Sequence, residues 1–450
     1  MNQRIGARPV AAAAVPSVIR AHDQKWDPLL ICVAGYVLTA VGRVHQLFAF
    51  LEPLHLALVC ASLAVALYVL GGWRERRFNH VLRVRTTRYV LGLTLWLALS
   101  VPGALWQGGA FEMATDFAKM ILMFLVIAAT VRGMRDVERL AFIYLLSGGI
   151  YAAVVLSRFH VNAQDWRLAS LYYYDANDFA TFAVMCLPIG VHFMVRPGAS
   201  WRRLVSAVAL GCLAVGVIWA GSRGGFLALL AVAAFLLLRY TAIRARWRFL
   251  TTALLAVVFT ATATDTYWEK MRTILNPKED YNITEAEGRL PVWKRGLGYM
   301  LDHPVFGVGA GNFPAAEGTL SPLAEAAARG RGVKWSVAHN SFIQVGAELG
   351  IPGLLLFVGM LASALRALRA AERVRIPRGP YDHSRVPAQL AQTLMASLIG
   401  YMVGGFFLSL AYKDVLFVLI ALTVALRKTL TLPPSGAALP PRPWGYRWSF

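Results

Sequence analysis

"LALVCASLAVALYVLGG", residues 56–72, runs for seventeen residues without a charge. A helix that crosses a bilayer needs about 20 mostly apolar residues, so this block with its flanks is near span length. It has company. "LLICVAGYVLTAVG" (29–42) lies before it and "YVLGLTLWLALSVPGALW" (89–106) after it, and four more blocks follow between residues 120 and 221. The whole chain of 450 residues is 57% hydrophobic and 15% charged, with a mean hydropathy of +0.53. Soluble domains carry more charge and less apolar surface than that. The chain reads as an all-α polytopic membrane protein of about twelve spans.

The four cysteines, Cys32, Cys60, Cys186 and Cys212, fall inside apolar blocks at irregular spacing. They read as small packing residues, not as a disulfide frame or a zinc site. The start of the chain does not resemble a cleavable signal, because "AAAAVPSV" is short and meets the polar "RAHDQKWD". Residues 1–27 therefore read as a retained tail.

A net charge of +21 raises the question of nucleic acid. The basic residues lie in short loops between apolar blocks, where they orient the chain in the bilayer, and no nucleic-acid partner is expected. One set of loops, 73–88, 132–139, 196–203, 239–248 and 366–385, holds most of the 45 lysines and arginines together with the termini. The alternate set is sparse in base. The positive-inside rule makes the first set cytoplasmic and places both termini inside.

This gives spans one to nine over 28–265, a large outer loop over 266–338, spans ten to twelve over 339–427 and a tail over 428–450. The large loop balances nine basic residues against nine acidic ones, Asp265 included. Within it, "RLPVWKRGLGYMLDHP" (289–304) spaces Leu290, Trp293, Leu297 and Met300 by three and four. That spacing predicts an amphipathic helix stopped by Pro304. "LAEAAARG" (323–330) predicts a second short helix. "FGVGAGNF" (306–313) reads as turn glycines, since it follows no strand as a dinucleotide site would.

A few polar residues sit where chemistry could occur. Arg223, in "GSRGGF", lies between two apolar blocks with almost no loop around it. It reads either as a snorkelling turn residue or as an anion ligand. Arg289 reads either as a solvated helix residue or as a bidentate ligand for phosphate oxygens. His339, in "AHNSFIQVGAELG" (338–350), reads alone as a hydrogen-bonded structural residue more readily than as a base, with Asn340 and Ser341 free to cap the next helix. Lys413, in "AYKD", is a further cation with the same ambiguity. Asp175 and Asp178 in "DANDF" read as a helix cap before a cation site, and "NIT" (282–284) is a common chance sequon. No P-loop, HExxH or GxSxG occurs, which argues against an ATPase, a zincin or a serine hydrolase.

Taken in order, "YYYDANDFATFAVMCLP", "GSRGGFLALL", "GRLPVWKRGLGYMLDHPVFGVGAGNF" and "AHNSFIQVGAELGIPGLLLF" resemble the O-antigen ligase/polymerase superfamily of Gram-negative inner membranes. The likeness covers about residues 172–356. It rests on the arginine of "SRG", on Arg289 with Trp293 four residues later, and on His339–Asn340 before span ten. Ten residues separate His339 from Gly350, the spacing associated with the ligase branch. Where the family more often has Pro–Asn, this chain has Ala176–Asn177.

The resemblance implies an inverting, metal-independent and cofactor-free glycosyltransferase. Its donor would be undecaprenyl-pyrophosphate-linked O-antigen, and its acceptor lipid A–core oligosaccharide on the periplasmic face. His339 would then be the general base, and Arg223 and Arg289, with Lys413, the pyrophosphate ligands. Asn177, Trp293, Asn340 and Gly350 are the other residues the resemblance marks. Polymerases tend to have two sizeable outer loops and arginine–glycine spacings that Arg289 and Arg295 lack here. A protein O-oligosaccharyltransferase and a lipid-linked sugar flippase are the remaining rivals.

Overall fold

A computed structural model describes residues 25–72, 77–159, 167–168, 173–196, 198–276, 285, 288–324, 335–374 and 386–431. Most of both expected tails, residues 325–330 of the expected second loop helix, and the "NIT" sequon lie outside them. Every regular element among the described residues is helical. In chain order the α-helices are α1 (Pro28–Gly42), α2 (Val44–Leu47), α3 (Leu56–Leu67), α4 (Arg77–Arg83), α5 (Arg85–Leu99), α6 (Gln107–Thr130), α7 (Met134–Arg158), α8 (Ala176–Val195) and α9 (Ser200–Ala220). There follow α10 (Arg223–Arg239), α11 (Ala245–Thr262), α12 (Asp265–Arg272), α13 (Arg289–Asp302), α14 (Phe313–Thr319), α15 (Ser341–Glu372), α16 (Val386–Gly405) and α17 (Asp414–Thr431).

Seven of the described helical segments are long and apolar enough to cross a membrane: Ala49–Gly71, which contains α3, and α6, α7, α8, α9, α15 and α16. The count becomes eight if α11 and α12, bent by 107° at their junction, form one span. The other expected spans are helices that fall short of that test, such as the 15-residue α1 and α5 and the 17-residue α10. Their ends are set by local chemistry. Asp27 caps α1 by accepting from the Leu30 amide at 2.7 Å. Arg43 ends it in a left-handed conformation.

Helices joined by short connections pack along one another. α8 packs against α9 and α16, α10 against α16, and α15 against α5. Tyr144, Phe179, Phe182, Phe357 and Phe417 are almost wholly buried among these helices. α3 and α11 instead present an apolar outer surface, with Leu58, Leu63, Leu254, Leu255 and Val257 each about half exposed or more. Apolar faces of that extent belong against lipid. The four cysteines are free, with Cys186 buried and the others partly so.

The expected amphipathic helix is present as α13, ending at Asp302 just before Pro304. Its inward face, however, is Val292, Gly296 and Tyr299, while Leu290 and Leu297 are exposed. That orientation has a steric cause. Gly296 lets α13 lie directly on Ile343 and Phe313, where any Cβ would come within 2.6 and 2.8 Å of their side chains. α13 thereby builds a small second core with Val308, Phe313, Ala316, Ala338 and Ala347. Arg295 pairs with Glu317 through two contacts of 2.9 and 2.6 Å, and the Tyr299 hydroxyl donates to the same carboxylate at 2.9 Å. That hydrogen bonding raises the Arg295 pKa further. Burial first, then the Glu317 hydrogen bond, pushes the Tyr299 phenol up.

α15 is broken at Gly350, whose φ of 68° and ψ of −171° are non-helical. A break frees backbone groups that need new partners, and the segment 304–309 supplies most of them. Val308 N–H donates to the Ala347 carbonyl at 2.9 Å and Gly309 N–H to that of Glu348 at 3.0 Å. The Trp96 indole donates to the Leu349 carbonyl at 2.9 Å, and Ile351 N–H donates to the Pro304 carbonyl at 2.8 Å. Left-handed glycines at 307, 309 and 311 make that close approach possible, as expected of turn glycines.

Candidate active site

Gly224 beside Arg223, Trp293 and His339 each touch the turn of residues 406–413 between α16 and α17, which ends at Lys413. α9 arrives there and ends at Gly221, whose left-handed φ of 53° reverses the chain. Ser222 then caps α10 by accepting from Gly225 N–H at 3.2 Å. Arg223 is thus the first residue of α10, half-buried at a helix mouth. Gly224 lies against the turn, since a Cβ there would sit 3.0 Å from the Cβ of Phe407, and Gly225 lies against Ala180 of α8.

The bend between α11 and α12 positions Arg223. Thr264 caps α12 by accepting from Tyr267 N–H at 3.3 Å. Phe226, Phe259, Tyr267 and Trp268 close over the corner with ring centroids 5.5–6.4 Å apart. At the far end of α12, Thr273 donates its hydroxyl proton to the Lys270 carbonyl at 2.8 Å. The same oxygen accepts from Arg223 Nη1 at 2.7 Å. One face of the guanidinium is therefore fixed by a hydroxyl whose own proton is already committed.

Arg289 opens α13 beyond Gly288, and Trp293 stands four residues on, one turn along the same face. The Trp293 ring meets Phe406 edge-on at 5.4 Å and Phe407 at 6.4 Å. Its indole N–H donates to the Ala338 carbonyl at 3.0 Å. That carbonyl immediately precedes His339.

His339 has a φ of 47°, one of three non-glycine residues among those described with a positive φ. Such outliers gather at functional sites because the surrounding structure must over-determine them. Here the restraints are explicit. The His339 amide donates to the Ser409 hydroxyl at 2.9 Å. Asn340 is buried and caps α15, its Oδ1 accepting from Phe342 N–H at 2.9 Å and Ile343 N–H at 3.1 Å. The Ser341 hydroxyl donates to the Leu408 carbonyl at 2.7 Å and accepts from Leu410 N–H at 2.9 Å. Asn340 and Ser341 begin the helix, as their residue types predict. The backbone of His339 is clamped on both sides.

Three other candidates remain. Asn177 lies in the first turn of α8, its amide and that of Asp178 both donating to the Asp175 carboxylate at 2.7 Å, so Asp175 is the expected cap. Lys413 ends the shared turn with its ammonium 5.0 Å from the Tyr173 ring centre and 3.4 Å from the Tyr173 hydroxyl. Gly350 lies farther along α15, at the break, and its visible role is backbone geometry.

Several participants have no mark in the sequence reading. Thr273 and Ser409 are isolated polar residues in apolar or irregular context. Arg43 lies 3.6 Å over the Tyr173 ring and pairs with Asp414 at 3.2 Å, which adds a cation beside Lys413. The polar run "SLAYKD" before the last apolar block was the available signal for this turn. Burial, then the neighbouring Glu348, pushes the Tyr412 phenol well up.

Residues 207–358 match the family model described as O-antigen ligase. The matched stretch takes in Arg223, Arg289, Trp293, His339, Asn340 and Gly350, and stops short of the turn at 406–413. No curated protein matches the chain. The match covers about a third of the chain, and it supports membership of the O-antigen ligase/polymerase superfamily.

Proposed function

We propose that this protein is an O-antigen ligase. It transfers O-antigen polysaccharide from undecaprenyl pyrophosphate to lipid A–core oligosaccharide at the periplasmic face of the inner membrane. In this reading the chain has twelve spans and both termini in the cytoplasm, and residues 266–338 form the periplasmic loop. One observation carries the proposal: Gly224 beside Arg223, the Trp293 turn that follows Arg289, and His339 all rest on the single turn 406–413.

The chemistry follows from the residue types. An acceptor hydroxyl oxygen attacks the anomeric carbon of the donor while the bond to the pyrophosphate oxygen breaks on the opposite side, inverting that centre. The hydroxyl proton passes to the His339 imidazole, help typically worth about 10²–10⁴-fold. Negative charge grows on the departing pyrophosphate, and fixed cations stabilise it without reorganising. Arg223 and Arg289 are the proposed cations, with Lys413 as a third. The donor carries its own leaving group, which accounts for a chain without an ATP motif.

The test is to mix purified protein, undecaprenyl-pyrophosphate glycan and lipid A–core in detergent without ATP. Ligated lipid A–core supports the proposal. Longer donor-linked glycan without acceptor modification would instead indicate a polymerase, and glycan crossing a bilayer without bond formation a flippase.

A further inference from the structure

A polar cavity lies at the other end of the bundle. It has a volume of about 310 Å³ and is lined by Arg135, Arg139, Arg196, Arg202, Arg203 and Glu138. α9 runs from this cavity toward Arg223, and its 21 residues rise roughly 30 Å, a hydrocarbon thickness. The cavity therefore opens at the opposite membrane face from the candidate active site.

Its charge is poorly balanced. Glu138 is buried and pairs with Arg196, and Asp136 accepts from Arg139 at 2.9 Å just beside the cavity. Asp136 also pairs with Arg132, which reaches Asp27, so among the described residues six guanidinium groups share three carboxylates. Burial, then the charges of Arg202 and Arg135, pushes the Arg196 pKa down to about 10. Cations held this close call for a counter-ion. The N-terminus of α9 points the same way: Ala199, which lines the cavity, is its N-cap, and an alanine side chain cannot accept from the first-turn amides.

The wall beside the cavity is built for lipid. Trp201 is 55% exposed, packs edge-on against Phe142 at 5.6 Å and carries Arg202 5.4 Å over its ring. A tryptophan in that position marks a membrane interface. From it, Leu204 and Val208 continue an exposed apolar stripe along α9 toward the bilayer centre.

We propose that this cavity binds the phosphate of an anionic phospholipid headgroup, with the acyl chains lying along Leu204 and Val208. The five arginines supply the charge and the guanidinium forks that suit phosphate oxygens. The site is separate from the ligase reading and would stand if that reading failed.

Native mass spectrometry of the full-length protein in mixed micelles tests this. Phosphatidylglycerol is compared with phosphatidylcholine, which bears the same phosphate but cancels its charge. The wild type should retain phosphatidylglycerol selectively. The double variant Arg135→Gln/Arg203→Gln, both exposed residues, should lose retention by roughly thirty-fold, taking each arginine at its usual interfacial worth. Equal retention by wild type and folded variant overturns the proposal. The wild-type comparison needs no variant, and equal retention of the two lipids also overturns it. A third arm adds inorganic phosphate alone. If phosphate protects the wild type from thermal unfolding while phosphatidylglycerol shows no preference, the ligand is a soluble anion and the lipid assignment is wrong.

Discussion

Trp293 donates its indole N–H to the carbonyl of Ala338, and this bond ties the helix that Arg289 opens to the residue before His339. The same ring lies against Phe406 and Phe407 of the shared turn. The loop helix and the histidine therefore cannot shift independently.

Trp293→Phe keeps an aromatic ring and removes the donor. Expression and melting temperature should change little, because Trp293 is only partly buried. Turnover should fall roughly 10–100-fold, the effect of small displacements of a reacting group. Steady-state kinetics on purified protein reads this. A variant with wild-type turnover would show that the bond does not position His339.

Gly350→Ala should damage the fold and not the chemistry alone. A Cβ there would lie 2.4 Å from the Val305 carbonyl oxygen and 2.5 Å from that of Pro304, at a φ of 68°. Strain of this kind costs on the order of 1–3 kcal/mol before the clash is counted. Thermal unfolding in detergent should show a lower midpoint. An unchanged midpoint would show that the break at Gly350 accommodates a Cβ and would overturn this expectation.

Glu317→Ala should loosen the loop. It removes the carboxylate that Arg295 and Tyr299 share, and breaking a buried pair on one side costs about 3–5 kcal/mol. The Glu317 side chain is 1% exposed, so water replaces little of what is lost. Limited proteolysis should cut the 289–338 region faster than in the wild type. Equal cleavage rates would place the stability of this lobe elsewhere.

How much of this was legible in the sequence depends on whether the cause is local. The cap at Asn340, the cap at Asp175 and the end of α13 before Pro304 depend on neighbours within four residues, and each is where residue type puts it. The inward face of α13 was not legible, because Gly296 sets it by admitting Ile343 and Phe313 from elsewhere in the chain. The break at Gly350 has the same character: glycine permits it, but the 304–309 segment creates it. Thr273 and Ser409 have no local signature, since their roles exist only once α12 and the 406–413 turn are folded. The number of spans was less legible, because apolar blocks such as those of α1 and α10 fold into helices shorter than a lone spanning helix must be.

Arg223→Ala and Arg289→Ala should weaken donor handling more than acceptor handling. Each removes a cation proposed to face the pyrophosphate, and loss of one such preorganised group typically costs about 10²–10³-fold in turnover. Arg223→Lys should recover little, because an ammonium cannot bond Thr273 and present a second donor in the same plane. Full donor turnover in either alanine variant would remove that arginine from the site.

In the proposed reaction His339 removes the acceptor proton. The direct measurement is the rate of lipid A–core glycosylation by reconstituted His339→Ala protein, alongside binding of the undecaprenyl-pyrophosphate donor. Donor binding should persist, and the ligation rate should fall by at least about 10²-fold. Wild-type ligation by His339→Ala would contradict the account.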